Sequence, residues 1–200
     1  MRLLSALAVV FLAAIQFGFA AGTPAEDIAS LIDPAKLKTL GKREANPRVQ
    51  KSVYWLAVAR SKGEQPGKVL DGALQSLRIK KGAEMTKAAL LRNLDIADKL
   101  GCLDTEGMSE MRKGNAATIR RGPYRGDQLS VDHIIPRDLC PELDNVIANL
   151  ELMPMRMNSS KNDRVGARQV DYARKLNEAG LLTKKVVKRV ESAARKQNRR

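Results

Sequence analysis

The chain has 200 residues, with 36 Lys and Arg against 22 Asp and Glu, one His, two Cys and 4% aromatic residues. That length suits one domain, or one domain with a helical extension. The formal net charge of +14 favours a polyanionic partner (nucleic acid, an anionic membrane surface or a cell-wall polymer), and two Cys with one His exclude a four-ligand structural zinc site that leaves the His free.

The first residues predict export. Met1-Arg2 is a short positive start, and Leu3 to Phe19 is apolar apart from Ser5 and Gln16. Gly18 and Ala20 stand at the −3 and −1 positions of a cut after Ala20. This is the charged start, apolar centre and small-residue exit of a secretory signal peptide, here residues 1–20. An uncleaved anchor is the alternative, since the stretch nearly spans a bilayer; the small-residue exit favours cleavage. No cysteine lies near the cut, and no later segment is apolar enough to cross a membrane. The expectation is a mature protein of about 180 residues, secreted or periplasmic, with no stable membrane insertion.

Residues 21–112 read as helices. Thr23-Pro24-Ala25-Glu26 is a capping box with Pro at the first helical position, predicting a helix to about Ile32. Asp33-Pro34 repeats the signal, with Gly41 as its stop. Asn46-Pro47 opens a longer helix through Val49, Val53, Leu56 and Ala59 that Gly63 ends, and Trp55 on it is predicted to be core. After the break at Gln65-Pro66-Gly67 a short helix runs to about Leu77. Ala83 to Leu100 is strongly helical with Gly101 as the residue just past its end. Residues 105–113 form one more short helix.

The pattern then changes. Residues 117–121 and 128–132 alternate in strand fashion, with turn residues Gly122 to Asp127 between them. Leu150 to Met153 reads as another short strand. Pro154 opens a helix carrying Asn158 and Lys161. Helices resume at 167–179 and 184–197, separated by Gly180. The fold class expected is α+β, mostly helical.

In an exported protein, Cys102 and Cys140 are expected to form a disulfide. Closing a loop of that length contributes about 4 kcal/mol in the chain-entropy model. Two buried thiols are the alternative.

The chemistry centres on the single His. Asp132-His133-Ile134-Ile135-Pro136 ends a predicted strand, Asn149-Leu150 comes sixteen residues after His133, Asn158 nine later, and Lys161 three after that. Read from the residues alone, this set suits phosphodiester hydrolysis. That reaction needs a cation on the phosphate oxygens, a base for water and groups that hold the geometry. Asp132 and Asn158 are hard oxygen donors that suit Mg²⁺, or Mn²⁺, better than Zn²⁺. His133 is the candidate base. Lys161 lies one helical turn beyond Asn158 on the same face and can hold a phosphate.

In order and spacing these residues resemble the HNH (ββα-metal) endonuclease family, in the variant with Asn in place of the last His. The resemblance covers about residues 115–165. It implies a two-stranded ribbon and a helix gripping one divalent metal, a nuclease core at 113–165, and cleavage of nucleic acid. It assigns His133 as general base, Asp132 and Asn158 as metal ligands, and Asn149 as support for the loop that carries the base. Asn145 lies near the same place but lacks the following Leu. The Cys pairs that brace many members are absent, so Cys102 and Cys140 are expected to brace this one.

Arg120, Arg121 and Arg125 flank the turn before the motif, and Arg121 and Arg125 are candidate backbone contacts. The C-terminal helices, 166–200, carry Lys184, Lys185, Lys188, Arg189, Arg195, Lys196, Arg199 and Arg200 beside an apolar stripe of Val186, Val187, Val190 and Ala194. They read as a phosphate-tracking arm, a solvated helix or a membrane-surface helix. DNA is the substrate favoured, with little sequence specificity. RNA, and a non-catalytic basic nucleic-acid-binding protein, are the alternatives, with a membrane- or wall-associated protein behind them.

Overall fold

The computed structural model describes residues 22–161 and 164–197. The expected leader at 1–20 lies outside them, as do Arg199 and Arg200. Among the described residues the protein is mostly helical with one two-stranded antiparallel sheet. No helix there is long and apolar enough to cross a membrane.

Local signals place most helices. In α1 (Pro24–Ile32) the Thr23 hydroxyl accepts from Glu26 N, and the Glu26 carboxylate accepts from Thr23 N at 2.8 Å, closing the capping box. The second helix, α2 (Pro34–Leu37), ends well before Gly41. Helix α3 (Asn46–Ser61) buries Val49, Val53, Leu56 and Ala59, and Trp55 packs partly buried against the same core. Helices α4 (Pro66–Ser76), α5 (Ala83–Lys99) and α6 (Thr105–Lys113) follow. At the end of α5, Gly101 takes φ +71°, which lets Cys102 N reach Ala97 O at 2.8 Å and satisfies a carbonyl of the last turn.

The sheet pairs β1 (Leu129–His133) with β2 (Leu150–Pro154), His133 opposite Leu150 and Asp132 opposite Glu151. The strand expected at 117–121 is reduced to a single bridge, Thr118 to Gln128. The cause is non-local: Arg120 N and Arg121 N both donate to Leu100 O, at the end of α5, at 2.9 and 3.0 Å. The chain is drawn off the ladder by a helix terminus with a carbonyl to satisfy.

One face of the hairpin (Leu129, Val131, Leu152) packs on the helices before it. Those helices also close its edges. The Asn93 side chain, on α5, accepts from Leu152 N at 2.9 Å and donates to Leu150 O at 3.1 Å, as a neighbouring strand would. Gln50 on α3 donates to Leu129 O at 2.8 Å. Residues 22–110 therefore hold the hairpin rather than merely adjoin it.

A second apolar cluster joins the loop after His133 (Ile135, Cys140, Leu143) to α8 (Ala167–Glu178) and α9 (Lys184–Gln197). Val187, Val190 and Ala194 are spent in that contact. The stripe that suggested a membrane-surface helix is thus covered within the molecule, while Lys184, Lys185, Lys188, Arg189, Arg195 and Lys196 stay exposed.

Cys102 and Cys140 do not form the expected disulfide. Both are buried free thiols, and they sit in different clusters, Cys102 under the N-terminal helices and Cys140 against the C-terminal pair. Burial pushes the Cys102 thiol up to about 12 and the Cys140 thiol upward as well. Thiol titration is expected to find both groups only after denaturation, and reductant should leave the melting temperature unchanged. A reductant-sensitive melt would contradict this.

Candidate active site

Strand β1 delivers Asp132 and His133 to one end of the sheet. Alternation along the strand puts Ser130 and Asp132 on the face away from the N-terminal core. Helix α7 (Met155–Lys161) follows β2 directly and lies over that face. Asn158 Nδ2 donates to Ser130 Oγ at 3.2 Å. One turn on, Lys161 Nζ donates to the Asp132 carboxylate and to His133 O, the latter at 2.9 Å. The register of two strands and the pitch of one short helix thus bring Lys161 to Asp132, while Asn158 meets Ser130 on the same face and does not line the cavity described next.

His133 is 5% exposed. Its Nε2 lies 3.0 Å from Asp144 O and 3.0 Å from Asp144 Oδ1. Both partners only accept, so Nε2 must carry the proton and Nδ1 the free lone pair in the neutral ring. This assigns the tautomer from the network. His133 and Asp132 line a cavity of about 160 Å³, with Arg43, Arg137, Asp138 and Lys161 around it. A larger hollow of about 520 Å³, between α1, α2 and α3, holds none of the predicted residues.

Asn149 ends a short 3₁₀ turn just before β2 and is fully buried. Its Oδ1 accepts from Ile135 N at 2.9 Å and its Nδ2 donates to Ile135 O at 3.1 Å. One amide thus clamps the backbone two residues past His133. Asn145, the other candidate, does something else: it accepts from Ala45 N at 3.0 Å and donates to Gly41 O at 2.9 Å, tying the turn before α3 to the site loop.

Arg121 and Arg125 do not line the cavity; both are exposed, Arg121 just before the turn at 122–126 and Arg125 on it. Arg120 is held by Asp104 and Glu106. Sequence reasoning missed Asp144, Arg43 and Arg137. No spacing rule marks Asp144, and Arg43 meets it across 101 residues of chain.

Comparison with protein-family models, with curated proteins and with solved structures finds no match for this chain. The reading of the site therefore stands on its residues.

Among the described residues no three His, Cys, Asp or Glu side chains gather as a metal cluster. A closed soft-metal centre does not fit. The donor set that is present is one carboxylate, Asp132, and one amide, Asn158, whose Nδ2 is turned to Ser130 and whose Oδ1 receives no hydrogen bond from a described residue. Two hard oxygens fit a divalent ion such as Mg²⁺ that keeps several water or phosphate ligands.

Proposed function

We propose that this chain is an exported, metal-dependent endonuclease of the HNH (ββα-metal) type that hydrolyses phosphodiester bonds, in DNA by preference, with little sequence specificity. The observation that carries this is the His133 ring, held at Nε2 by Asp144 in a cavity that Asp132 and Lys161 also line.

The arrangement supports the following steps. Nδ1 of His133 takes a proton from the attacking water as its oxygen bonds to phosphorus and the bond to the leaving oxygen breaks. The carbonyl and carboxylate of Asp144 fix the ring and stabilise the imidazolium that forms. Lys161 places a positive charge where the phosphate's negative charge grows. Asn149 keeps the loop after His133 from moving. A divalent cation held by Asp132 and Asn158 would supply charge neutralisation at the phosphate oxygens. The charge of +14 concentrates a polyanion near this site. Nothing in the donor set reads the sugar, so RNA remains a second substrate for the same chemistry.

The test uses purified mature protein on supercoiled plasmid with Mg²⁺, with Mn²⁺ and with chelator. Metal-dependent nicking or linearisation is expected, falling by about 10²–10⁴ in His133→Ala, the range a positioned base contributes. Absence of cleavage of DNA or RNA with either metal, while DNA is still bound, would instead support the non-catalytic binding protein.

A further inference from the structure

The N-terminal helices reach into the cavity at one residue. Arg43 lines it from the turn before α3, opposite Asp132, His133 and Lys161. Its backbone N donates to Asp144 Oδ2 at 3.2 Å, and the other oxygen of that carboxylate meets His133. Its φ is +62°, a conformation that suits Gly and is unfavourable for a residue with a side chain. The other non-glycine residue with positive φ, Arg78, has an ordinary reason: it sits just past the C-terminus of α4, where Ile79 N bonds back to Leu74 O. Arg43 takes it as the third residue of a turn that Glu44 N closes on Gly41 O at 3.3 Å, the position where a positive φ is required.

The turn is held rigidly. Gly41 N donates to the Glu44 carboxylate at 2.8 Å, and Asn145 binds Ala45 N and Gly41 O. Yet the Arg43 guanidinium makes no hydrogen bond or ion pair among the described residues. Across the cavity, Arg137 gives Nε and Nη2 to Asp138, while its Nη1 is buried with no partner. Two planar guanidinium forks with unspent donors therefore flank one small polar cavity beside the candidate base. Phosphate oxygens are the anion such forks match best.

We infer that Arg43 and Arg137 form a seat for a phosphate of the bound nucleic-acid strand, so that the N-terminal helices supply part of the substrate site. The ligand's identity rests on the nuclease reading; the seat itself rests on the cavity and its donors. One turn then does two things: its N–H braces Asp144 behind His133, and its side chain grips the strand.

Arg43→Gly separates the two. Glycine keeps the N–H and relaxes the backbone while removing the fork. Arg78→Gly removes the same charge from the same conformation without touching the cavity. Both variants should melt no lower than the wild type. In chelator, Arg43→Gly should bind a short DNA duplex about tenfold more weakly, with the slope of log affinity against log salt reduced by about one. In cleavage it should raise KM and leave kcat within about twofold. Arg43→Lys should recover part of the binding, and Arg78→Gly should match the wild type.

Equal affinity and salt slope for Arg43→Gly and Arg78→Gly would overturn the seat. If the wild type then still cleaves and His133→Ala does not, the nuclease reading survives that failure. Weaker binding by Arg43→Gly in a protein that cleaves nothing would keep the seat and sink the nuclease.

Discussion

Asn149→Ala is expected to cost about 3–5 kcal/mol of stability and to remove measurable cleavage even well below its melting temperature. The side chain is fully buried, and its two polar ends satisfy both backbone groups of Ile135. Alanine leaves that N–H and that carbonyl without partners and without water. Each unsatisfied group costs about 1–3 kcal/mol, and the lost volume adds a cavity. The functional loss has a separate origin. Ile135 is two residues from His133, and the same loop leads to Asp144, which holds the ring. Releasing the clamp lets the base leave the cavity wall. Asn149→Asp should not rescue: it keeps the acceptor for Ile135 N but turns a carboxylate oxygen on the Ile135 carbonyl. Urea denaturation and plasmid cleavage measure the two effects, and a variant within about 1 kcal/mol of the wild type would refute the clamp.

What the sequence made legible was local. Thr23 with Glu26 caps α1 through bonds that span three residues, and Gly101 ends α5 through a motif six residues long. Such signals carry their own geometry: the helix expected to about Ile32 ends there, and the one expected over 83–100 runs over Ala83–Lys99. The expected class, α+β and mostly helical, holds for the same reason. The strand at 117–121 stops short because the N–H groups of Arg120 and Arg121 answer to Leu100, a partner no alternation pattern can reveal. The disulfide failed because compartment and count say that thiols can pair, whereas packing decides which core each enters.

The candidate site divides along the same line. Asp132 and Lys161 are brought together by a strand, its partner and the helix after it, and the same arrangement lays Asn158 on Ser130, so local spacing in sequence almost fixes these two meetings in space. Asn149 could be preferred over Asn145 by motif context, and the bonds give the two different tasks. Asp144, Arg43 and Arg137 were out of reach. The first two join through one long-range hydrogen bond. The third stands out only because a buried donor lacks a partner, which is a property of the fold and not of the residue.

Glu151 links stability to the site through the sheet register. It lies opposite Asp132 on the same face, its side chain only 9% exposed. Like charges directly across a pair repel, and each here has its own cations. Asp132 has Lys161; Glu151 has Arg92 Nε at 3.1 Å and Arg168 Nη2 at 2.8 Å. Glu151→Ala is expected to cost about 2–3 kcal/mol, less than breaking a fully buried pair, because water still reaches Arg92 and Arg168. Arg92 is the stranded group, since Glu151 is the carboxylate that faces its Nε. Pairing Glu151→Leu with Arg92→Met should recover most of the loss, because two apolar side chains remove the desolvated charges together. The single variant should also need more Mg²⁺ for half-maximal cleavage than its stability explains. With Glu151 gone, the nearest carboxylate across the register is Asp132, and an arginine drawn to it competes for the oxygens a metal ion needs. Urea curves for the single and double variants, with an Mg²⁺ titration of cleavage, test both halves. A Glu151→Ala protein as stable as the wild type would show that the three-charge cluster contributes nothing. Normal stability loss with an unchanged Mg²⁺ requirement would confine Glu151 to the core and leave Asp132 insulated from it.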